Sequence, residues 1–512
     1  MVEHVPDKNG VEGSIPSTPT RIQLKDFLPA KQWASAMEAY QKSWRKVKMV
    51  RKLALFFLFL GSIIVLLFFV YKEHIAERGK LSLPESLTKE IVFINENNEE
   101  NDPFYLKMIP DVRDDYILEG KSFIEVNLGL MQLRVYKDGD LIKQVPILAR
   151  GDPQGWGGSA LGVYNVLSGY RSSYSGIAEV YIPFALHYYG KYWLHGEPYY
   201  PNGQKMISAV SGGCIRMHDN DAKDIYDLAE INMPVIVLDN ERIDHNFVAK
   251  DQFDFPKVSA KSYIVADLNS GFVFANKNHN EKLPLASLTK LMTAIVVAEN
   301  IDLRRIIQVE PEMLKAYGDT DNIEVGKRFG VVELFYPLLI ESSNDAAEVL
   351  SGFLGREKTI ELMNKKAQNI LMSDTRFIDP HGYEAGNIST AQDLFQLAKY
   401  ITEARFLLWN ITKGEKVTTF KQIEFDIEEF WNKNIFTEDE NLIGGKTGFI
   451  EQSKNNAIFV FKFLAGEQVK NVAIILMGSD DDKRDTQIIY KWLKDNYSLL
   501  SVVPLDDNNY IE

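Results

Sequence analysis

The chain has 512 residues, 45% of them hydrophobic and 25% charged, with a single cysteine. That is enough apolar material for more than one core, and one cysteine excludes an internal disulfide and makes an ordinary structural zinc site unlikely. The formal net charge is −14, yet residues 1–52 hold ten Lys and Arg against five Asp and Glu; the remainder is strongly acidic, which argues against nucleic acid as a partner.

Residues 1–30 are rich in Pro, Ser, Thr and Gly and read as a disordered tail, with a short amphipathic helix expected around Lys31 to Val50. LALFFLFLGSIIVLLFFVY, Leu53 to Tyr71, is uncharged and long enough to cross a bilayer as one helix. It starts too far from the terminus and runs too long for a cleaved signal peptide. Arg45, Lys46, Lys48, Arg51 and Lys52 precede it, so the N-terminus is expected in the cytoplasm and everything after Tyr71 outside, in the cell membrane's extracytoplasmic space. Residues 72–119, with NENNEENDP, read as a stalk or linker.

From about Lys121, apolar and polar residues alternate in FIEVNLGLMQLRVYKDGDLIKQVPILA around the hairpin signal KDGD. The strand pattern continues through GVYNVLSGY and KYWLHG and closes near Val235 to Leu238; DNDAKDIYDLAE between them predicts a helix capped by Asp219 or Asn220. Residues 241–257 read as a polar linker. SYIVADLNSGFVFANKN then predicts a hairpin, SLTKLMTAIVVAEN, NDAAEVLSGFLG, EKTIELMNKKAQNILM and TAQDLFQLAKYITEA predict helices, and NNAIFVFKF and NVAIILMGS predict strands. The expected architecture is multidomain: tail 1–52, membrane helix 53–71, stalk 72–119, a mainly-β domain at 120–240, linker 241–257, an α/β (α+β) domain at 258–503, and an acidic tail at 504–512.

Two constellations carry chemistry. Ser287 and Lys290, at i and i+3, share one side of a helix's first turn, where a buried amine can take the hydroxyl proton. Ser342-Ser-Asn344 and Lys446-Thr-Gly448 follow; the set S-x-x-K, S-x-N, K-T-G in that order marks serine acyl enzymes that act on penicillins and D-Ala peptides. The bland alternative is that Ser342 and Asn344 cap a helix and KTG is a turn. With PLASLTKLMTA, ESSNDAA, the DPHG stretch ending at Gly382, and STAQDL, residues 259–502 resemble the low-molecular-weight penicillin-binding proteins, D-alanyl-D-alanine carboxypeptidases of serine peptidase family S11. The resemblance implies a penicillin-binding/β-lactamase-like transpeptidase fold. It makes Ser287 the acylated nucleophile and Lys290 its base, with Ser342 and Asn344 relaying protons and holding the peptide. Lys446 and Thr447 of the KTG set would take the terminal carboxylate, with Gly448 in the same substrate-binding strand, and the backbone N–H groups of Ser287 and Phe449 would form the oxyanion hole. FIEQSKNN after KTG departs from the small residues expected there. No counterpart of the deacylating glutamate of β-lactamases is evident.

The second constellation is His195, closing YWLHG, and Cys214 in SGGCIRM. A histidine in reach can make a cysteine a thiolate–imidazolium pair. Residue types alone leave open an inert buried cysteine or a metal site from His187, His195, Cys214 and His218. YWLHG…SGGCIRM resembles the L,D-transpeptidase (YkuD) family, which implies a mainly-β fold over residues 121–239, Cys214 as nucleophile, His195 as base, Arg216 as a substrate-orienting or scaffold residue, and backbone N–H groups near Gly213 and Cys214 as oxyanion hole. Two departures stand out: Gly213 occupies the place of a second family histidine, and Ser159-Ala-Leu-Gly162 replaces a Thr-Pro-x-Gly stretch.

Together the resemblances imply a bifunctional enzyme remodelling peptidoglycan, with stem peptides as substrates, β-lactams as inhibitors, the membrane reached by one helix, and no cofactor or metal. A D,D-carboxypeptidase makes tetrapeptides, and an L,D-transpeptidase consumes them. The alternatives are a serine carboxy- or endopeptidase whose YkuD-like unit only binds the wall, and a non-enzymatic β-lactam or wall-fragment sensor.

Overall fold

The computed structural model describes residues 104–243, 245–250, 254–314, 323–420, 425–465 and 468–499, all within one compact unit, Glu100–Glu512. The expected tail, membrane helix and acidic C-terminus lie outside the described residues. Among the described residues no helix is long and apolar enough to cross a membrane.

The segment expected to be a stalk is structured where it can be followed. Leu106 and Met108 are buried, Leu106 N–H donates to Gly271 O at 2.9 Å, and α1 (Ile109–Leu118) opens on Pro110, whose missing N–H costs nothing in a first turn. Strands β1 (Phe123–Asn127), β2 (Gln132–Lys137) and β3 (Asp140–Pro146) follow. The KDGD turn works as expected: Asp138 and Gly139 both take positive φ, 53° and 86°, as the turn of a two-residue hairpin requires. Next come β4 (Gly162–Asn165), β5 (Ser168–Ser175), β6 (Val180–Tyr189), β7 (Tyr192–His195), the two-residue β8 (Ile215–Arg216), helix α2 (Asp219–Leu228) and β9 (Pro234–Leu238). They form two sheets, ordered β3-β2-β1-β9-β4 and β5-β6-β7-β8, with β1 parallel to β9 and β7 parallel to β8. The cap of α2 is His218, one residue before the expected Asp219 or Asn220. Asp219 is spent elsewhere, its Oδ1 accepting from Glu197 N–H at 2.8 Å.

Part of the expected linker is also a strand. In β10 (Phe247–Ala249), Phe247 packs edge-on to Phe274 and Phe463, and that apolar contact holds the segment in place. Strands β11 (Ser262–Asp267) and β12 (Val273–Lys277) form the expected hairpin. β13 (Leu283–Pro284) leads to α3 (Thr289–Asn300), a helix buried all round except its last residue. Then come β14 (Ile306–Gln308), β15 (Arg328–Gly330), α4 (Asn344–Leu354), α5 (Arg356–Asn369), β16 (Ile388–Ser389), α6 (Ala391–Ala404), α7 (Leu407–Thr412), β17 (Leu442–Ile450), β18 (Lys454–Ala465), β19 (Gln468–Ser479), α8 (Asp482–Asn496) and β20 (Tyr497–Leu499), which pairs with β10. The main sheet runs β12-β11-β19-β18-β17, leaving β17 as an edge. One hydrophobic core runs without a break from Ile124 and Tyr192 of the β-rich part to Val297 and Ala404 of the helical part.

Two candidate nucleophile sites

Ser287 sits in a single 3-10 turn, Ala286–Leu288, just ahead of α3. Ala286 is held at φ 50°, an unfavourable value for a residue with a Cβ. The DPHG turn supports it: Gly382 (φ 85°) comes so close that a Cβ there would meet Ala286 O. Lys290 Nζ lies 3.0 Å from Ser287 Oγ and donates to Asn344 Oδ1 at 2.7 Å and to His381 O at 2.6 Å. Burial, with Lys446 as a nearby like charge, holds the Lys290 amine well below its ordinary value, so it can serve as a base. Lys446 Nζ reaches Ser342 Oγ at 3.0 Å, and burial, helped by Lys433, lowers it to about 7.

The capping alternative fails. The cap of α4 is Ser343, whose side chain accepts from Ala346 N–H, while Ser342 adopts a left-handed conformation (φ 64°) that carries its hydroxyl to Lys446. Gly448 lies buried on the edge strand β17 beside the nucleophile; a Cβ there would stand 2.7 Å from Ser287 N. An edge of this kind can add an extended peptide as a further strand. Phe449, the large residue that departs from the family pattern, is 61% exposed. Thr447 Oγ1 lies 3.3 Å from Lys433 O. Sequence reasoning assigned no role to His381, although its motif was visible, or to Lys433, whose position depends on the fold.

Cys214 stands one residue before β8, and the parallel register sets Leu194 beside Ile215 and His195 beside Arg216. Cys214, His195 and Arg216 line one cavity of about 530 Å³, which also reaches Asp302 and Arg304 of the helical part. His195 Nδ1 is 2.6 Å from Gly196 O. A carbonyl can only accept, so the proton sits on Nδ1 and Nε2 is left as the acceptor. The charge state differs from the expected ion pair. Burial pushes the Cys214 thiol up to about 11 and His195 down to about 4, so the two rest as thiol and neutral imidazole. The thiol itself faces Lys191 O at 3.8 Å.

Gly213 N–H, expected at the oxyanion, instead donates to Ser211 Oγ at 3.0 Å. The glycine itself is required: at φ 112° a Cβ would stand 2.1 Å from Tyr192 Cε1, so the ring fills the place of any side chain there. Arg216, which also lines the cavity, donates to Ser208 O at 2.9 Å and is pinned through its backbone to Ala149 and Leu148. Ser159 Oγ, in the second departure, accepts from Gly151 N–H at 3.0 Å. Of the four residues of the metal alternative, His187 and His218 stand apart from the cavity: His187 stacks on Trp193 and contacts Gly190 O, while His218 is exposed beside Glu197. Among the described residues no three His, Cys, Asp or Glu side chains gather in a way that could hold a metal ion.

Comparison with known proteins agrees with the division into two sites. Residues 248–480 match the peptidase S11, D-alanyl-D-alanine carboxypeptidase, family, and residues 121–237 the YkuD, L,D-transpeptidase catalytic domain, family. The chain is 27% identical over 267 residues to the D-alanyl-D-alanine carboxypeptidase DacF of Bacillus subtilis, spanning 49% of this chain and 65% of that protein's length. It is 32% identical over 211 residues to a D-alanyl-D-alanine endopeptidase of Haemophilus influenzae, 40% of this chain and 70% of the relative. Among solved structures, a D-alanyl-D-alanine carboxypeptidase of Mycobacterium tuberculosis aligns with a TM-score of 0.42 at 23% identity, covering 48% of this chain and 94% of the other.

Proposed function

Because the chain belongs to the S11 family of D-alanyl-D-alanine carboxypeptidases and carries a YkuD L,D-transpeptidase domain as well, we propose that it is a bifunctional, membrane-anchored enzyme of peptidoglycan remodelling. Ser287 trims pentapeptide stems and Cys214 forms cross-links from the tetrapeptides left behind. The observation that carries the reading is the 3.0 Å contact between Lys290 Nζ and Ser287 Oγ, with the amine buried and lowered.

In the first reaction Ser287 Oγ attacks the carbonyl of the penultimate D-Ala while its proton passes to Lys290. The terminal carboxylate rests on Lys446 and Thr447, and Ser342 returns a proton to the departing D-Ala amine. Water then takes the acyl group, giving the tetrapeptide and free Ser287. In the second, the Cys214 thiol attacks the carbonyl preceding the remaining D-Ala, and His195 Nε2 accepts the proton. D-Ala leaves as the amine, and the side-chain amine of another stem's diamino acid takes the acyl group from sulfur. Since thiol and imidazole rest neutral, proton transfer accompanies attack rather than preceding it. Leu53–Tyr71 anchors the chain, with both sites extracytoplasmic, and β-lactams acylate Ser287. Holding both sites on one insoluble polymer raises the local concentration of the intermediate.

The test is mass spectrometry of muropeptides after incubation with wild type, Cys214→Ala and Ser287→Ala. Ser287→Ala should leave pentapeptides intact, and Cys214→Ala should accumulate tetrapeptides without new cross-links. Cross-linking of pentapeptide material by Ser287→Ala at the wild-type rate would sink the coupling of the two sites.

A further inference from the structure

Apart from the two nucleophiles, a cluster of buried charge lies where the β-rich and helical parts meet. Arg405, 2% exposed, follows α6 and forks in two directions. Nη1 donates to Gly158 O at 2.7 Å, and Nη2 donates to Tyr192 Oη at 2.8 Å. Nη2 also lies 2.7 Å from Glu299 Oε1, near the end of α3, and Glu299 pairs in turn with Lys366 at 3.0 Å. Gly158 and Tyr192 belong to the transpeptidase fold; Tyr192 and Gly157, the residue before Gly158, adjoin the turn that carries Cys214. A Cβ on Gly213 would stand 2.1 Å from Tyr192 Cε1 and 3.2 Å from Gly157 O, so the turn rests on that ring and on the loop ending in Gly158. The loop is itself pressed against the helical part, since a Cβ on Gly158 would lie 2.4 Å from Ala404 O.

We propose that Arg405 of the carboxypeptidase fold is a positioning residue for Cys214: by gripping Tyr192 and Gly158 together it fixes the turn that aims the thiol into its cavity. The proposal rests on the reading of Cys214 as an acyl-transfer nucleophile. It makes the thiol site composite, complete only when both folds are docked.

The test uses the full chain and two conservative variants. Arg405→Lys keeps the charge beside Glu299 but loses the fork; Tyr192→Phe keeps the ring and removes only the gripped hydroxyl. Each should lower kcat of tetrapeptide acyl transfer about 10- to 100-fold with KM close to wild type, as a misaimed nucleophile does. Cys214 is the only thiol, so its alkylation by iodoacetamide reads the turn directly, and both its rate and its pH profile should shift. Labelling of Ser287 by penicillin should keep its wild-type rate. Unchanged alkylation in both variants overturns the proposal, and so does an equal loss of penicillin labelling, which would make Arg405 a general support of the fold. If wild type transfers no acyl group, the transpeptidase reading fails by itself. Alkylation then still judges the positioning role: an altered rate supports it and a wild-type rate overturns it.

Discussion

Lys290 Nζ lies 3.0 Å from Ser287 Oγ and Lys446 Nζ lies 3.0 Å from Ser342 Oγ, so two buried amines stand in one serine site. Lys446 raises the cost of charging Lys290, and exposed Lys433 adds to the cost for both. On the proposed mechanism the two amines divide the labour: Lys290 must be neutral to take a proton, and Lys446 must be charged to hold a carboxylate.

This division gives a pH profile with a definite sign. Hydrolysis of a D-Ala–D-Ala peptide should rise with pH as Lys290 loses its proton, well below the usual lysine range. It should fall above about 7, as Lys446 becomes neutral and releases the substrate carboxylate. Lys433→Ala removes a cation that lowers both amines, so both limbs should move to higher pH. Initial rates on a diacetylated Lys-D-Ala-D-Ala peptide across pH check this, and a profile unmoved by Lys433→Ala would count against the electrostatic account.

Gly448 is the position where the edge strand comes closest to the nucleophile. A methyl group there would press on Ser287 N at 2.7 Å and must push β17 or the 3-10 turn aside. Gly448→Ala is expected to slow penicillin acylation of Ser287 by about 100-fold, the scale of a 1 Å misplacement, with Cys214 alkylation unchanged. An acylation rate within twofold of wild type would mean that the strand yields freely.

What the sequence made legible was local. KDGD fixed a hairpin because the turn type depends on two residues, and S-x-x-K fixed the Ser287–Lys290 contact because helix geometry sets i to i+3. The remainder depends on chain segments far apart in sequence. Arg405 and Tyr192 are 213 residues apart, and nothing near either residue announces their contact. The resting charge of Cys214 and His195 follows from burial, which residue types do not report. Strand β10 was hidden in a polar stretch held by scattered aromatic residues, Phe247 in the strand and Phe255 beyond it.

Glu299 pairs with both Arg405 and Lys366, and all three are buried. Burial works to raise the Glu299 carboxyl, but Lys366 and Arg405 hold it below its ordinary range. Burial lowers Lys366 to about 7 even with that carboxylate beside it. Glu299→Gln strands two cations in a dry interior and is expected to cost about 3–5 kcal/mol. Lys366 should then lose its proton at lower pH than in wild type, where it titrates at about 7, so the loss should be largest in acid and shrink as pH rises toward 7. Urea unfolding at acidic and neutral pH measures both effects. Equal midpoints for variant and wild type would show the triad to be energetically idle.

Gly213 replaces a histidine of the family pattern, and Tyr192 explains the replacement. With φ at 112° and a tyrosine ring 2.1 Å from where a Cβ would stand, any side chain must displace the ring that Arg405 holds. Gly213→Ala is therefore expected to cost roughly 1–3 kcal/mol, the usual range for overpacking, and to lower acyl transfer at Cys214 rather than restore a missing function. Gly213→His should be worse, since the larger ring has no space on that side. Pairing Gly213→Ala with Tyr192→Ala tests the cause: deleting the ring should recover part of the steric loss, leaving the cost of the positive φ. The comparison is made by urea unfolding of the single and double variants; strictly additive losses would place the clash elsewhere than at Tyr192.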